Sequence, residues 1–183
     1  MIVLVIDIQK GITDERLYHF SEFIHNTKVI IETARMNNIE VIYVQHDDGP
    51  GTGFSVGDEE FEIAEQVMPA EGEKRYIKDI NSCFGNKELV DYLEEKQENI
   101  LMIVGLQTNF CIDASIKSAF ERGYKVIIPE GTNSTFDNDY MDKETTYRYY
   151  NEMMWPKRFA DCVSMEKAIA LLNEDGRHAM LRH

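Results

Sequence analysis

Cysteine is scarce in this chain, three in 183 residues, and so are proline, at four, and tryptophan, at one. An odd cysteine count with no Cys-x-x-Cys pair argues against a disulfide framework and a thiol-redox protein, and points to free thiols in a reducing cytosol. Basic side chains are in deficit too: 19 Lys and Arg stand against 33 Asp and Glu, for a net charge of −14. The acidic clusters at 58–60, 71–73 and 94–95 read as a solvated exterior, and nucleic acid is a poor partner for it. No apolar run approaches the roughly 20 residues of a membrane span. The apolar start before Asp7 has no basic lead and no cleavage site, so it reads as a strand and not as a signal peptide. No Gly-x-Gly-x-x-Gly turn follows a strand, which removes the usual signature of a dinucleotide-dependent oxidoreductase. Low-complexity stretches and solenoid repeats are missing as well, so residues 1–183 are expected to form a single domain.

What is present is a series of short Val/Ile/Leu runs alternating with helical patterns. Residues 2–6 lead to Asp7, 39–44 end near His46, a short Tyr76-Ile77 strand precedes Lys78, 101–104 precede Gly105, and 125–128 follow. Strands this apolar have no wet face, which indicates an α/β fold with a parallel sheet covered on both sides. Helices are expected over 21–36, over 87–96 with Asn86 as N-cap, over 112–122 stopped by Gly123, and over 165–172 capped by Ser164. In the third of these, Ile112, Ile116, Ala119 and Phe120 recur at the spacing of one buried face. Ligands on such sheets bind at the carboxyl ends of the strands. The glycine-rich segment Asp47 to Gly57 follows one such end, and it is expected to overhang the site and shape substrate choice.

Three polar residues fall at expected carboxyl ends. Cys111 lies at a strand-to-helix elbow, where unpaired N–H groups of a first helical turn favour a thiolate. Asp7 closes an otherwise apolar strand, and a carboxylate buried there needs a cation or hydrogen bonds. Lys78 is the candidate cation. Joined together, Asp7 takes the thiol proton, Lys78 steadies the charges and Cys111 attacks. Read separately, the same residues are a capping Asp, a solvated Lys and a packed Cys, and the residues alone leave both readings open. A Cys111–His46 pair is a further competitor, because His46 is the one histidine expected near a strand's carboxyl end; His178 and His183 belong to the tail.

The arrangement of three motifs carries a resemblance. Val5-Ile6-Asp7-Ile8-Gln9 is similar to the opening Asp-x-Gln strand of the isochorismatase-like cysteine hydrolases, the group of nicotinamidases and N-carbamoylsarcosine amidases. Lys78 followed by Ser82-Cys83-Phe84 resembles their Lys-x-x-x-Ser-Ala-Phe segment, and Gly105-Leu106-Gln107-Thr108-Asn109-Phe110-Cys111 resembles their elbow. The motifs occur in the family's order across most of the chain. The resemblance implies a Rossmann-like three-layer sandwich with a parallel six-stranded sheet, and a catalytic triad of Asp7, Lys78 and Cys111. It also implies a cis peptide at Leu106–Gln107 and an oxyanion hole made by the backbone N–H groups of Gln107 and Cys111. The implied reaction is hydrolysis of a small-molecule amide or related C–N bond through a thioester, with no cofactor.

Departures narrow that reading. Metal-binding nicotinamidases carry an Asp-x-His pair and a later His, whereas this chain has Gln45-His46-Asp47-Asp48 and no later His in the loop, so no metal is expected and nicotinamide is disfavoured as substrate. Cys83 replaces the family's Ala, and both Cys83 and Cys162 read as packed core residues. Gln9, His46, Phe84, Phe110 and Phe136 are the candidate pocket residues, with Thr135, Tyr140 and Trp155 nearby. The cluster of Tyr147, Tyr149, Tyr150, Met153, Met154 and Trp155 reads equally as packing or as a subunit interface. The expectation is a cytoplasmic homo-oligomer acting on a small molecule, with no nucleic-acid or membrane partner. Alternatives are a vinyl-ether hydrolase of the isochorismatase type, or a catalytically silent binding protein on the same fold.

Overall fold

The computed structural model describes residues 1–180; residues 181–183, including His183, lie outside the described residues. Strands β1 (Ile2–Ile6), β2 (Glu40–His46), β3 (Lys74–Lys78), β4 (Ile100–Leu106), β5 (Lys125–Pro129), β6 (Asn133–Ser134) and β7 (Asp161–Val163) are interleaved with helices. These are α1 (Phe20–Met36), α2 (Lys87–Lys96), α3 (Asp113–Glu121), α4 (Lys143–Arg148) and α5 (Met165–Met180). Six strands run in the order β3-β2-β1-β4-β5-β7, and every pairing among them is parallel.

Alternation of side chains along β1 sorts the core into two layers. Val3 and Val5 pack with Phe23, Ile30, Ile31 and Ala34 of α1 and with Ala168 and Leu172 of α5. Ile2, Leu4 and Ile6 point the other way, onto Leu89 and Leu93 of α2 and Ile112, Ile116 and Ala119 about α3. Burial of β1 on both faces is why its sequence is continuous rather than alternating. The edge strand β3 shows the opposite economy: Lys74, Arg75 and Ile77 are exposed, and charge on an edge discourages pairing with a second chain.

The expected parallel six-stranded order is present with one short strand added to it, and three other expectations need correction. The sheet has a seventh strand: β5 pairs with β4 only at Ile100–Met102, and β6 takes over the same side of β4 at Gly105–Leu106. A two-residue polar strand has no periodicity to reveal it. The elbow helix opens with a π-helical turn, Thr108–Ile112, and becomes α-helical only at Asp113. Phe120 is 47% exposed rather than buried, because it lies in the last turn of α3 and meets Phe159 edge-on. Helix α5 runs on past Leu172 through a polar stretch, since tertiary partners hold it: Asn37 donates to Asn173 at 2.8 Å and the N-terminal ammonium pairs with Asp175 at 3.2 Å.

Candidate active site

Register brings the site together. His46 and Lys78 are partners on β2 and β3, while Ile6 is flanked by Val44 of β2 and Gly105 of β4, so Asp7 emerges between the ends of β2 and β4. Asp7 departs from the strand in the left-handed region, at φ 54°, with its N–H donating to the Val44 carbonyl at 2.8 Å. Among non-glycine residues Asp tolerates this region better than most, although it is uncommon and worth a functional explanation. The turn directs the carboxylate toward the ends of its neighbours.

There it meets Lys78. The ammonium donates to Asp7 Oδ2 at 2.7 Å and to Cys111 Sγ at 3.3 Å, and its third contact is His46 Nδ1 at 2.9 Å. Asp7 is 1% exposed, Lys78 2% and Cys111 8%, so Cys111 is the most accessible of the three residues. Asp7 Oδ1 is buried and has no hydrogen-bond partner among the described residues. The neighbouring thiol, like Lys78, partly opposes the rise that burial imposes on the Asp7 pKa. It also points toward Asn81 Oδ1, at 3.9 Å.

Electrostatics correct the expectation of a resting thiolate. Burial raises the Asp7 carboxyl above the ordinary value, against the opposing pull of Lys78. Burial and then the charge of Asp7 push the Cys111 thiol up to about 12, with Lys78 again opposing. Both shifts favour the neutral thiol of Cys111, beside a carboxylate made more basic by its surroundings. Burial also pushes Cys83 and Cys162 up to about 12, so no preformed thiolate sets Cys111 apart from them.

The candidate pocket residues separate. Gln9 is wholly buried, with its amide committed to backbone: Nε2 donates to His46 O and Phe61 O, and Oε1 accepts from His46 N–H. It stands behind the site. Phe84 is packed against Tyr124 in the core, under the Arg122 guanidinium, and Phe136 lies half-buried beneath Arg16. Phe110, adjacent to Cys111 in the chain, is 50% exposed. Trp155 is core, donating from Nε1 to Asp113, whereas Tyr140 projects into solvent. The Asp47–Gly57 loop folds on itself, Asp48 N–H donating to Phe54 O, and touches the site through Asp48 Oδ1, 3.0 Å from His46 Nε2.

The Leu106–Gln107 peptide is cis. A polar network braces the turn that follows it. Thr108 Oγ1 donates to Asn133 Oδ1 at 2.7 Å, Asn133 exchanges hydrogen bonds with Asn151, and Thr135 Oγ1 donates to Asn109 Oδ1 at 2.6 Å. Sequence reasoning missed Asn133, Asn151, Asn81 and Asp48. For Asn133 the available signal was the polar run 132–135, all of it buried.

One ligand atom each from Asp7, His46 and Cys111 lies within 4.8 Å of the others, a spacing that would suit a metal ion. The Lys78 ammonium touches all three residues and already supplies the positive charge there. A divalent cation among those ligands would face that ammonium at close range. Turnover should therefore survive exhaustive EDTA treatment; loss of activity restored by one added metal would contradict this.

Comparisons with known proteins identify the family and the fold. Residues 1–177 match the isochorismatase domain model. The chain is 30% identical over 146 residues to the isochorismatase family protein YddQ of Bacillus subtilis, covering 77% of this chain and 81% of that protein. It is 23% identical over 197 residues to the ureidoacrylate amidohydrolase RutB of Caulobacter segnis, covering 87% and 82%. A crystal structure of an isochorismatase family protein superposes with a TM-score of 0.81 at 28% identity, covering 88% of this chain and 96% of that one.

Proposed function

The chain belongs to the isochorismatase family, and we propose that it is a metal-independent cysteine hydrolase cleaving a small-molecule amide or related C–N bond. The observation that carries this reading is the dry Lys78 ammonium bridging the Asp7 carboxylate and the Cys111 sulfur. A buried ion pair contributes little to stability on balance, so its presence beside a thiol argues for chemistry.

The reaction follows from those three groups. As Sγ bonds to the carbonyl carbon, the thiol proton passes to Asp7, whose raised pKa suits it to hold that proton near neutral pH. Lys78 offsets the negative charge on sulfur during the transfer, and the N–H groups of Gln107 and Cys111 receive the carbonyl oxygen as it becomes an oxyanion. Collapse breaks the C–N bond, Asp7 returns the proton to the departing amine, and a Cys111 thioester remains. Water deprotonated by Asp7 then releases the acid and restores the thiol.

RutB, an amidohydrolase by name, makes a C–N bond the preferred target, and a ureido or carbamoyl group is a reasonable first choice of substrate. Vinyl-ether cleavage is the second reading, but it leaves the thiol without a task. The same reading makes the protein a homo-oligomer of the cytosol acting without nucleic acid or membrane. Three free thiols support that compartment, and among the described residues no helix is long and apolar enough to cross a membrane. The test is release of ammonia or amine from a panel of small amides, ureido acids and carbamoyl compounds, with mass spectrometry for an acyl adduct on Cys111. Turnover that forms no hydroxamate when hydroxylamine is added to trap the acyl group, or turnover surviving Cys111→Ala, would rule out the thioester route.

A further inference from the structure

An ammonium group has three protons and no lone pair, so each proton of Lys78 needs its own acceptor. Two go to Asp7 Oδ2 and Cys111 Sγ, and the third goes to His46 Nδ1 at 2.9 Å. The chemistry proposed above does not use His46. Neither ring nitrogen is free to act as a base, since Nδ1 faces the ammonium and Nε2 faces Asp48 Oδ1 at 3.0 Å.

We infer that His46 is a positioning residue: its Nδ1 lone pair holds the third ammonium proton, and this keeps Asp7 Oδ1 open to receive the proton of Cys111. The inference rests on the Asp-Lys-Cys reading of the site. Its central observation is that Oδ1 is buried beside a cation and still lacks a donor. An unsatisfied buried acceptor is costly, so an ammonium with a spare proton would turn to satisfy it. Once hydrogen-bonded through both oxygens, the carboxylate would be a weaker base and less available to the thiol. His46 removes the spare proton.

The surroundings are built for that role. Because Lys78 can only donate, Nδ1 must carry the lone pair and the ring proton must sit on Nε2, where Asp48 receives it. The His46 backbone is clamped on both sides of its peptide by the buried Gln9 amide, at 2.8 and 3.0 Å. Strand register places Lys78 directly across from His46. Asp48 thus sets the tautomer, Gln9 sets the position, and His46 aims the ammonium.

The experiment uses the full-length chain and two probes. The first needs no substrate: iodoacetamide labelling of Cys111, followed by site-resolved mass spectrometry at neutral pH. His46→Leu should slow labelling by about tenfold, the effect of losing roughly 1.4 kcal/mol. His46→Asn, whose Oδ1 occupies the place of Nδ1, should recover most of the wild-type rate. The second probe is nitrogen NMR of the His46 ring at alkaline pH, which should show the Nε2–H tautomer in the wild type. Where a hydrolysed amide is known, kcat should fall in His46→Leu with KM little changed. Wild-type labelling in His46→Leu, equal impairment of folded His46→Asn and His46→Leu, or the Nδ1–H tautomer would each overturn the inference. Failure to find any hydrolysed amide would instead bear on the proposed reaction, because labelling and tautomer are read without it.

Discussion

Lys78→Met is expected to lower turnover of any substrate by about thirtyfold to a thousandfold, corresponding to 2–4 kcal/mol of lost transition-state stabilisation. The reason is the charge count in a dry site. With Lys78 present, one cation stands between Asp7 and Cys111, at 2.7 and 3.3 Å from their polar atoms. Without it, moving negative charge onto sulfur beside a carboxylate is opposed, and Asp7, already raised by burial, is driven further toward its neutral form. Asp7→Asn should be as damaging, since it removes the proton acceptor. Either change leaves a buried charge without its partner, which by itself destabilises a fold by about 3–5 kcal/mol. The double variant Asp7→Asn/Lys78→Met removes both charges and should regain much of that stability while staying inactive, which separates folding from chemistry. His46→Ala should retain a substantial rate, in keeping with a residue that aims the ammonium without touching the reacting atoms. Kinetics and thermal unfolding of the four proteins decide this: an active Lys78→Met with a dead, folded His46→Ala would replace the triad with a Cys–His pair.

The second large effect is on the fold itself. Gly105 pairs with Ile6 at φ +135°, and a Cβ added there would lie 1.9 Å from the Ile6 carbonyl oxygen and 2.8 Å from its carbonyl carbon. Those are backbone atoms of a central strand, with no side chain to swing aside. Gly105→Ala must therefore push β1 from β4 where Asp7 leaves the sheet and the Cys111 elbow begins. A loss of at least about 3 kcal/mol is expected from the strain and separation together, a fall in Tm of roughly 6–12 °C for a domain of this size. Gly51→Ala is the control. It also has positive φ, 84°, but nothing lies within 4 Å of its added Cβ, so its cost should stay near 1 kcal/mol. Equal melting of Gly105→Ala and wild type would mean that the two strands can part freely, contrary to the packing described.

The sequence by itself determined the layering and the identity of the three central residues. Continuous apolar runs such as Ile2–Ile6 are legible because burial on both faces leaves no polar alternation, and Asn86 is legible as a cap because its side chain answers a local need, the Leu89 N–H. Asp7, Lys78 and Cys111 stood out because polar groups at the ends of such runs require a reason, and the order of three motifs supplied a family. Only the tertiary structure decided what joins them. Strand β6 arises where β5 leaves the side of β4, and the buried polar side chains of Asn133 and Thr135 then brace elbow residues 25 and 26 positions earlier in the chain. No local pattern records a partner that distant. The elbow alone could not weigh the electrostatics of Cys111, because helix-end N–H groups are a local feature, whereas the desolvation and the charge of Asp7 that raise its pKa come from the assembled sheet. His46 shows the same division: its place at the end of β2 was legible, but whether it is a base, a pocket wall or a support depends on which nitrogen faces Lys78, and only the register of β2 with β3 sets that.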